Sequence, residues 1–362
     1  MSETLSIIDD VKSFSEKLEN ASRKLSNITD SDVDIATTPK EEKLRSDKTT
    51  LYRYKAIADQ KIGQPVLIVY GLIGRQSMTD LQENRSLVRN LLAEGIDVYT
   101  VDWGEPNRAD KWLTIDDYID GYMDEYIDFI REETNYDAIN LMGICEGGTF
   151  SVSYASLYPE KVHNLLLAIT PIDFHADQEE NRFDHGLLNV LTRSWDSETI
   201  DKLIDANGCM PGELMGYFFQ MMTPIRSLTK YNLDLIDVAQ NDDSLINFLR
   251  MEKWIADRPD HPGEAAKQWF KDYYQENKLI KNEIIVNGQQ VDLKKLEMPV
   301  LNIFALQDHI IPPDCSSALS RHVGTTDYTE MALNAGHVGL FVSGRSQAIL
   351  APGIVNWLME RQ

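Results

Sequence analysis

An apolar run, Ala138-Ile139-Asn140-Leu141-Met142, passes without a break into Gly143-Ile144-Cys145-Glu146-Gly147 and then Gly148. Glycines on both sides of one reactive residue, at the end of such a run, specify a strand, a sharp turn and a helix. The glycines remove side chains that would clash where the turn closes. The central side chain is left exposed on a strained backbone. Here it is a thiol, so the expected chemistry is acyl transfer through a thioester. Glu146 is expected to turn its carboxylate away, because an inward carboxylate would oppose a thiolate.

From Thr49 onward, β-rich runs alternate with helical patterns, which predicts a mostly parallel sheet with helices on both faces. Strands are expected at 51–56, 66–71, 98–103, 138–144, 165–170, 300–305 and 328–332, and helices at 86–94, 115–133, 147–158 and 347–360. Continuous apolar runs such as Val66-Leu67-Ile68-Val69-Tyr70 suit central strands covered on both faces. This is the alternation of an α/β-hydrolase fold. It stops near Asp173 and resumes near Val300, so residues 173–285 are expected as a helical cap above the strand ends, between core segments 49–172 and 286–362. Cap helices are expected at 187–195, 213–222, 235–256 and 264–277, with Met210, Met215, Met221, Met222 and Met251 among their adaptable apolar side chains. Residues 1–48 are expected to be a helical or irregular segment outside the core. Ile7, Val11, Phe14, Leu18, Ala21, Leu25 and Ile28 recur there in steps of four and three, a heptad seam that packs on the chain's own core or takes a partner helix.

The 58 acidic against 35 basic residues give a net charge of −23, a surface that repels phosphate backbones and anionic lipid, so no nucleic-acid partner is expected. The acidity otherwise reads as a solvated surface or an adaptation to a salty cytoplasm. Cys145, Cys209 and Cys315 lie far apart with no C-x-x-C spacing, so neither a disulfide framework nor a zinc site is indicated and a reducing cytoplasm suits the chain. His163, His175, His185, His261 and His322 have no partner pattern, and no metal is expected. The N-terminus lacks a signal-peptide pattern, and no stretch of about 18 apolar residues suggests a membrane span.

A nucleophile at such a turn needs a base and a group that orients the base, which in this fold follow in the order acid then histidine. Asp308 ends the run Val300-Leu301-Asn302-Ile303-Phe304-Ala305-Leu306-Gln307, with Pro312-Pro313 soon after, and His337 lies in Asn334-Ala335-Gly336-His337-Val338-Gly339 beyond the last strand. His337 is expected to withdraw the thiol proton and Asp308 to hold its tautomer. His309 is a candidate site-wall residue, since neighbouring side chains at a strand end diverge. Expected oxyanion donors are the backbone N–H of Glu146 and those of the segment Gly71-Leu72-Ile73, with Leu72 and Ile73 nearest the role.

These residues resemble the catalytic subunit of class III polyhydroxyalkanoate synthases. The resemblance runs from Leu51 to the C-terminus through Leu51-Tyr52-Arg53-Tyr54, Asp102-Trp103-Gly104, Gly143-Ile144-Cys145-Glu146-Gly147-Gly148, Pro211-Gly212-Glu213-Leu214, Arg250-Met251-Glu252-Lys253-Trp254-Ile255, Asn302-Ile303-Phe304-Ala305-Leu306-Gln307-Asp308-His309 and Gly336-His337. It assigns the nucleophile to Cys145, the aspartate to Asp308 and the histidine to His337. Glu146 departs from the glutamine of similar synthases, which leaves the backbone donor intact. The resemblance implies an acyltransferase that polymerises (R)-3-hydroxyacyl-coenzyme A, with 3-hydroxybutyryl-coenzyme A the expected monomer, into polyester and releases free coenzyme A. It needs no cofactor beyond that substrate. It also implies a homodimer, a second non-catalytic synthase subunit, and a cytoplasmic location at the polyester granule surface. Whether Asp308 acts on the incoming hydroxyl directly or through His337 stays open. Cysteine hydrolases resembling dienelactone hydrolases share the box and the triad, but their chains are much shorter and lack a cap of this size.

Overall fold

In the computed structural model, which describes residues 2–59, 61–176, 186–221 and 234–362, the apolar runs assemble into one eight-stranded sheet. Its strands are β1 (Lys40–Ser46), β2 (Thr49–Tyr54), β3 (Val66–Val69), β4 (Val98–Asp102), β5 (Ile139–Ile144), β6 (Val162–Ala168), β9 (Val300–Ala305) and β10 (Tyr328–Leu333); β7 (Cys209–Met210) and β8 (His261–Pro262) pair separately in the cap. The spatial order is β1-β2-β4-β3-β5-β6-β9-β10, antiparallel at β1–β2 and β2–β4 and parallel elsewhere. Every residue of β3, β5 and β9 is buried, as strands covered on both faces must be.

The helices are α1 (Ser2–Asn27), α2 (Leu87–Ala93), α3 (Asp124–Thr134), α4 (Glu146–Leu157), α5 (Leu187–Ser194), α6 (Ser197–Asn207), α7 (Gly212–Met221), α8 (Leu235–Val238), α9 (Asp242–Ala256), α10 (Gly263–Gln268), α11 (Pro313–Ser317), α12 (Gly339–Val342) and α13 (Gly344–Met359). Among the described residues none is long and apolar enough to cross a membrane.

Three differences from the sequence expectation stand out. Residues 40–46 form β1, an edge strand of the core sheet, where an irregular segment was expected; its alternation of Lys, Glu and Arg gives no apolar face to read. The helix expected at 235–256 is two, because Asn241 caps α9 by accepting from Ser244 N–H at 2.9 Å. An additional cap helix, α6, starts where Asp196 accepts from Thr199 N–H at 2.8 Å. Met222 and His185 lie outside the described residues.

The helical segment between β6 and β9, expected as a cap, is packed onto the core by aromatic side chains. Trp269 follows α10 and meets Phe150 of α4 edge-on at 6.2 Å and Phe174 at 5.5 Å. Tyr273 and Tyr274 complete the cluster. Each such ring removes about 150–250 Å² from water, on the order of 4–6 kcal/mol of transfer free energy before entropy is counted. The C-terminal half of the α1 seam does the same on a smaller scale. Ala21, Leu25 and Ile28 pack with Leu235 and Val238 of α8, Ala239 beyond it, and Leu245 and Leu249 of α9, while Val11, Phe14 and Leu18 remain exposed.

Candidate active site

Glycine lets the β5–α4 turn close. A Cβ on Gly147 would overlap the backbone of Val69 and Tyr70, and one on Gly148 the side chain of Thr170. Between β5 and α4, Cys145 takes φ 53° and ψ −124°, a conformation unfavourable for an L-residue by about 1–3 kcal/mol. The surroundings over-determine it: Cys145 N–H donates to Ala168 O at 3.0 Å, and its carbonyl accepts from Gly148 N–H at 2.9 Å. The helix behind it, α4, is buried nearly all round. Ser151 and Ser153 return their hydroxyls to the carbonyls of Gly147 and Thr149, so these polar groups tolerate the interior.

Asp308 lies three residues beyond β9, in the turn before α11. Its carboxylate is buried and used at both ends: Oδ1 accepts from the N–H groups of Ile310 and Ile311, each at 2.9 Å, and Oδ2 meets His337 Nδ1 at 2.7 Å. His337 sits between β10 and α12. Burial opposes its charge, but Asp308 and then Cys145 outweigh burial and hold the imidazole's pKa well above its ordinary value. Three residues separated by up to 192 positions are thus brought together at the ends of β5, β9 and β10.

Two tyrosines, Tyr70 and Tyr274, are buried within electrostatic reach of Cys145. Burial, then the neighbouring Cys145, raises the Tyr70 hydroxyl far above its usual range; burial, then Cys145 and Glu146, does the same for Tyr274. Both therefore stand as neutral hydrogen-bond donors. His309 is exposed on the loop and makes no hydrogen bond or ion pair among the described residues. Among the described residues no three His, Cys, Asp or Glu side chains gather as a metal would require.

The expected oxyanion donors are otherwise engaged. Leu72 N–H and Ile73 N–H both donate to Glu146 Oε2, at 2.6 and 3.1 Å, so in this structure they are not free donors. The reason is the carboxylate's burial: at 1% exposure it must find donors within the protein. Its Oε1 meets Nε2 of the fully buried His261 at 2.8 Å. His261 has a partner after all, 115 positions away. Only the unusual carboxylate beside the thiol hinted that a matching group would be needed.

The chain is similar to proteins of known kind in three ways. A model described as alpha/beta hydrolase fold matches residues 64–343. Among solved structures, a monoglyceride lipase of Saccharomyces cerevisiae is similar with a TM-score of 0.56 at 12% identity, covering 91% of this chain and 96% of that one, which speaks for the fold alone. Curated relatives are much nearer in sequence. Proteins named poly(3-hydroxyalkanoate) polymerase subunit PhaC are 42% identical in a Synechocystis species, covering 96% of this chain and 92% of the relative. The protein of that name in Allochromatium vinosum is 44% identical, covering 91% and 90%. That of Haloferax mediterranei is 40% identical, covering 92% of this chain and 66% of the relative. With an alpha/beta-hydrolase sheet, a cysteine at its elbow and this degree of identity over nearly its whole length, the chain belongs to the poly(3-hydroxyalkanoate) polymerase subunit PhaC family.

Proposed function

We propose that this enzyme polymerises 3-hydroxyacyl-coenzyme A, with 3-hydroxybutyryl-coenzyme A as monomer, through an acyl thioester on Cys145. The observation that supports the reading is the buried His337 Nδ1–Asp308 Oδ2 pair at 2.7 Å, set past the strand ends on the same side of the sheet as the Cys145 turn. His337 carries its charge by having taken the thiol proton on Nε2 while Asp308 holds the proton on Nδ1, so the sulfur is ready to attack and the imidazolium is ready to return a proton. The sulfur attacks the thioester carbonyl, the Glu146 backbone N–H faces the developing oxyanion, and coenzyme A leaves as a thiol with the proton from His337. Thioester has been exchanged for thioester, so the acyl group stays activated. A hydroxyl then attacks it, giving its proton to His337, and an ester bond replaces the bond to sulfur. A serine ester would discard that activation.

A homodimer, a second non-catalytic subunit and a position at the polyester granule surface in the cytoplasm belong to the same proposal. The exposed stretch of α1, with Val11, Phe14 and Leu18 on one edge, is the face offered to the second subunit. Purified protein given 3-hydroxybutyryl-coenzyme A, with and without a co-expressed second subunit, is expected to yield polymer and free coenzyme A. Monomeric acid without polymer would make the enzyme a thioesterase. Undiminished coenzyme A release by Cys145→Ala would remove Cys145 from the chemistry.

A further inference from the structure

Glu146 and His261 form a second buried acid–imidazole pair that the reaction above does not use, with side-chain exposures of 1% and 0%. Such a pair adds little stability over apolar groups of the same volume, because desolvating both offsets their attraction. Its placement is more telling. Two consecutive N–H groups, from Leu72 and Ile73, converge on the single oxygen Glu146 Oε2, which is how an oxyanion is held. The loop that carries them, after β3, is the one from which this fold draws its second oxyanion donor. Gly71 makes the approach possible: a Cβ there would lie 2.7 Å from both Cβ and Oε2 of Glu146.

The other end of the pair belongs to the cap. His261 opens β8, and the cap segment leading to it holds the same loop at two more points. Trp254 Nε1 donates to Arg75 O at 3.1 Å, and Asp257 Oδ1 accepts from Arg75 Nε at 2.9 Å. Cap residues 254–261 and loop residues 72–75 are therefore tied together, with Glu146 as the link nearest the nucleophile.

We propose that Glu146 and His261 are positioning residues that latch the oxyanion loop to the cap. While the cap is seated, Glu146 takes up the Leu72 and Ile73 amides, leaving the Glu146 backbone N–H to serve the acyl oxygen without them. When the segment 254–261 shifts, His261 lets the carboxylate go and the two amides turn to the oxyanion. No covalent bond changes; one set of acceptors replaces another. The inference rests on the polymerase reading and adds the step by which the cap's position is felt at Cys145.

The test uses Glu146→Met, which is close in shape but offers the Leu72 and Ile73 amides no oxygen, and His261→Gln, both in the full-length protein; they reach the latch from opposite ends, so a variant that fails to fold leaves the other to decide. Three reactions of Cys145 are followed by mass: acylation by 3-hydroxybutyryl-coenzyme A in a single turnover, acetylation by p-nitrophenyl acetate, and alkylation by iodoacetamide. The first two need an oxyanion hole and the third does not. Both acylation rates are expected to rise by about fivefold or more while alkylation stays within about twofold, since one oxyanion donor is worth on the order of 10²–10³ in rate. Acylation unchanged or slowed in a variant that melts like wild type overturns the latch and makes Glu146 a brace of the working geometry. A parallel rise in acylation and alkylation overturns it too, because the substitutions then only widen access. Wild type that is acetylated by the ester but inert to the thioester rejects the polymerase reading instead, and the ester rates still judge the latch.

Discussion

Replacing Asp308 with asparagine isolates the part of the site that sets the tautomer of His337. The carboxylate's two ends are committed to different partners, Ile310 and Ile311 N–H on Oδ1 and His337 Nδ1 on Oδ2. An asparagine can satisfy the two backbone donors only with its carbonyl oxygen, so its NH2 group is forced toward His337. Nδ1 must then accept a hydrogen bond, the ring proton moves to Nε2, and Nε2 can no longer take the proton of the Cys145 thiol. The geometry survives while the chemistry is inverted. The matching change in a serine triad lowers turnover about 10⁴-fold, and a loss of at least about 10³-fold in Cys145 acylation is expected here. The fold loses one charge-assisted hydrogen bond and keeps a neutral one in its place, a decrease of about 1–2 kcal/mol. Coenzyme A release from 3-hydroxybutyryl-coenzyme A gives the rate, and urea unfolding followed by tryptophan fluorescence gives the stability. A variant that keeps more than about a tenth of the wild-type acylation rate, at wild-type stability, would show that His337 works without an orienting carboxylate.

The same pair predicts a pH dependence. His337 is held charged up to about 10, against burial, by Asp308 and Cys145, so its contribution to stability is complete below about pH 6.5 and is lost as pH rises through the folded-state value. The melting-temperature gap between wild type and Asp308→Asn should therefore narrow between pH 6 and pH 10; a gap that widens contradicts the assignment. Burial, then a hydrogen bond to Asp260, pushes the Cys209 thiol up to about 12. Limiting iodoacetamide at pH 8 should thus label Cys145 well before Cys209, as read by peptide mass, and equal labelling would refute this. On α1, the exposed Val11, Phe14 and Leu18 can be changed together to aspartate without touching the packed Ala21, Leu25 and Ile28. Unfolding is expected to stay within about 2 °C of wild type while stimulation by a second subunit is lost, and full stimulation would exclude this face.

Much of the architecture could be read from the chain because it is written in local patterns. The elbow needs glycines at fixed offsets from Cys145, and the run from Val300 to Ala305 is apolar because β9 is covered on both faces. The pairing of Asp308 with His337 was legible for a related reason: each closes a turn directly after a strand of the sheet. What escaped notice has no local signature. The strand β1 lies at a sheet edge with charged residues along it, so neither periodicity nor composition separates it from a loop. The break between α8 and α9 was hidden because Leu235, Val238, Leu245 and Leu249 stay in helical phase on either side of the polar run Gln240-Asn241-Asp242-Asp243-Ser244. The Glu146–His261 contact joins residues far apart in sequence, in the core and the cap, and no spacing rule connects two such segments.

The backbone of Cys145, with φ 53° and ψ −124°, has a consequence for how this protein can be improved. A positive φ of this kind is where glycine gains over any side-chain-bearing residue. Directed evolution for heat resistance that is blind to activity would therefore find one of its easiest gains by erasing the Cys145 thiol. Screens that aim at a more robust polymer-forming enzyme need to score turnover in every round, because at this one position stability and chemistry pull in opposite directions.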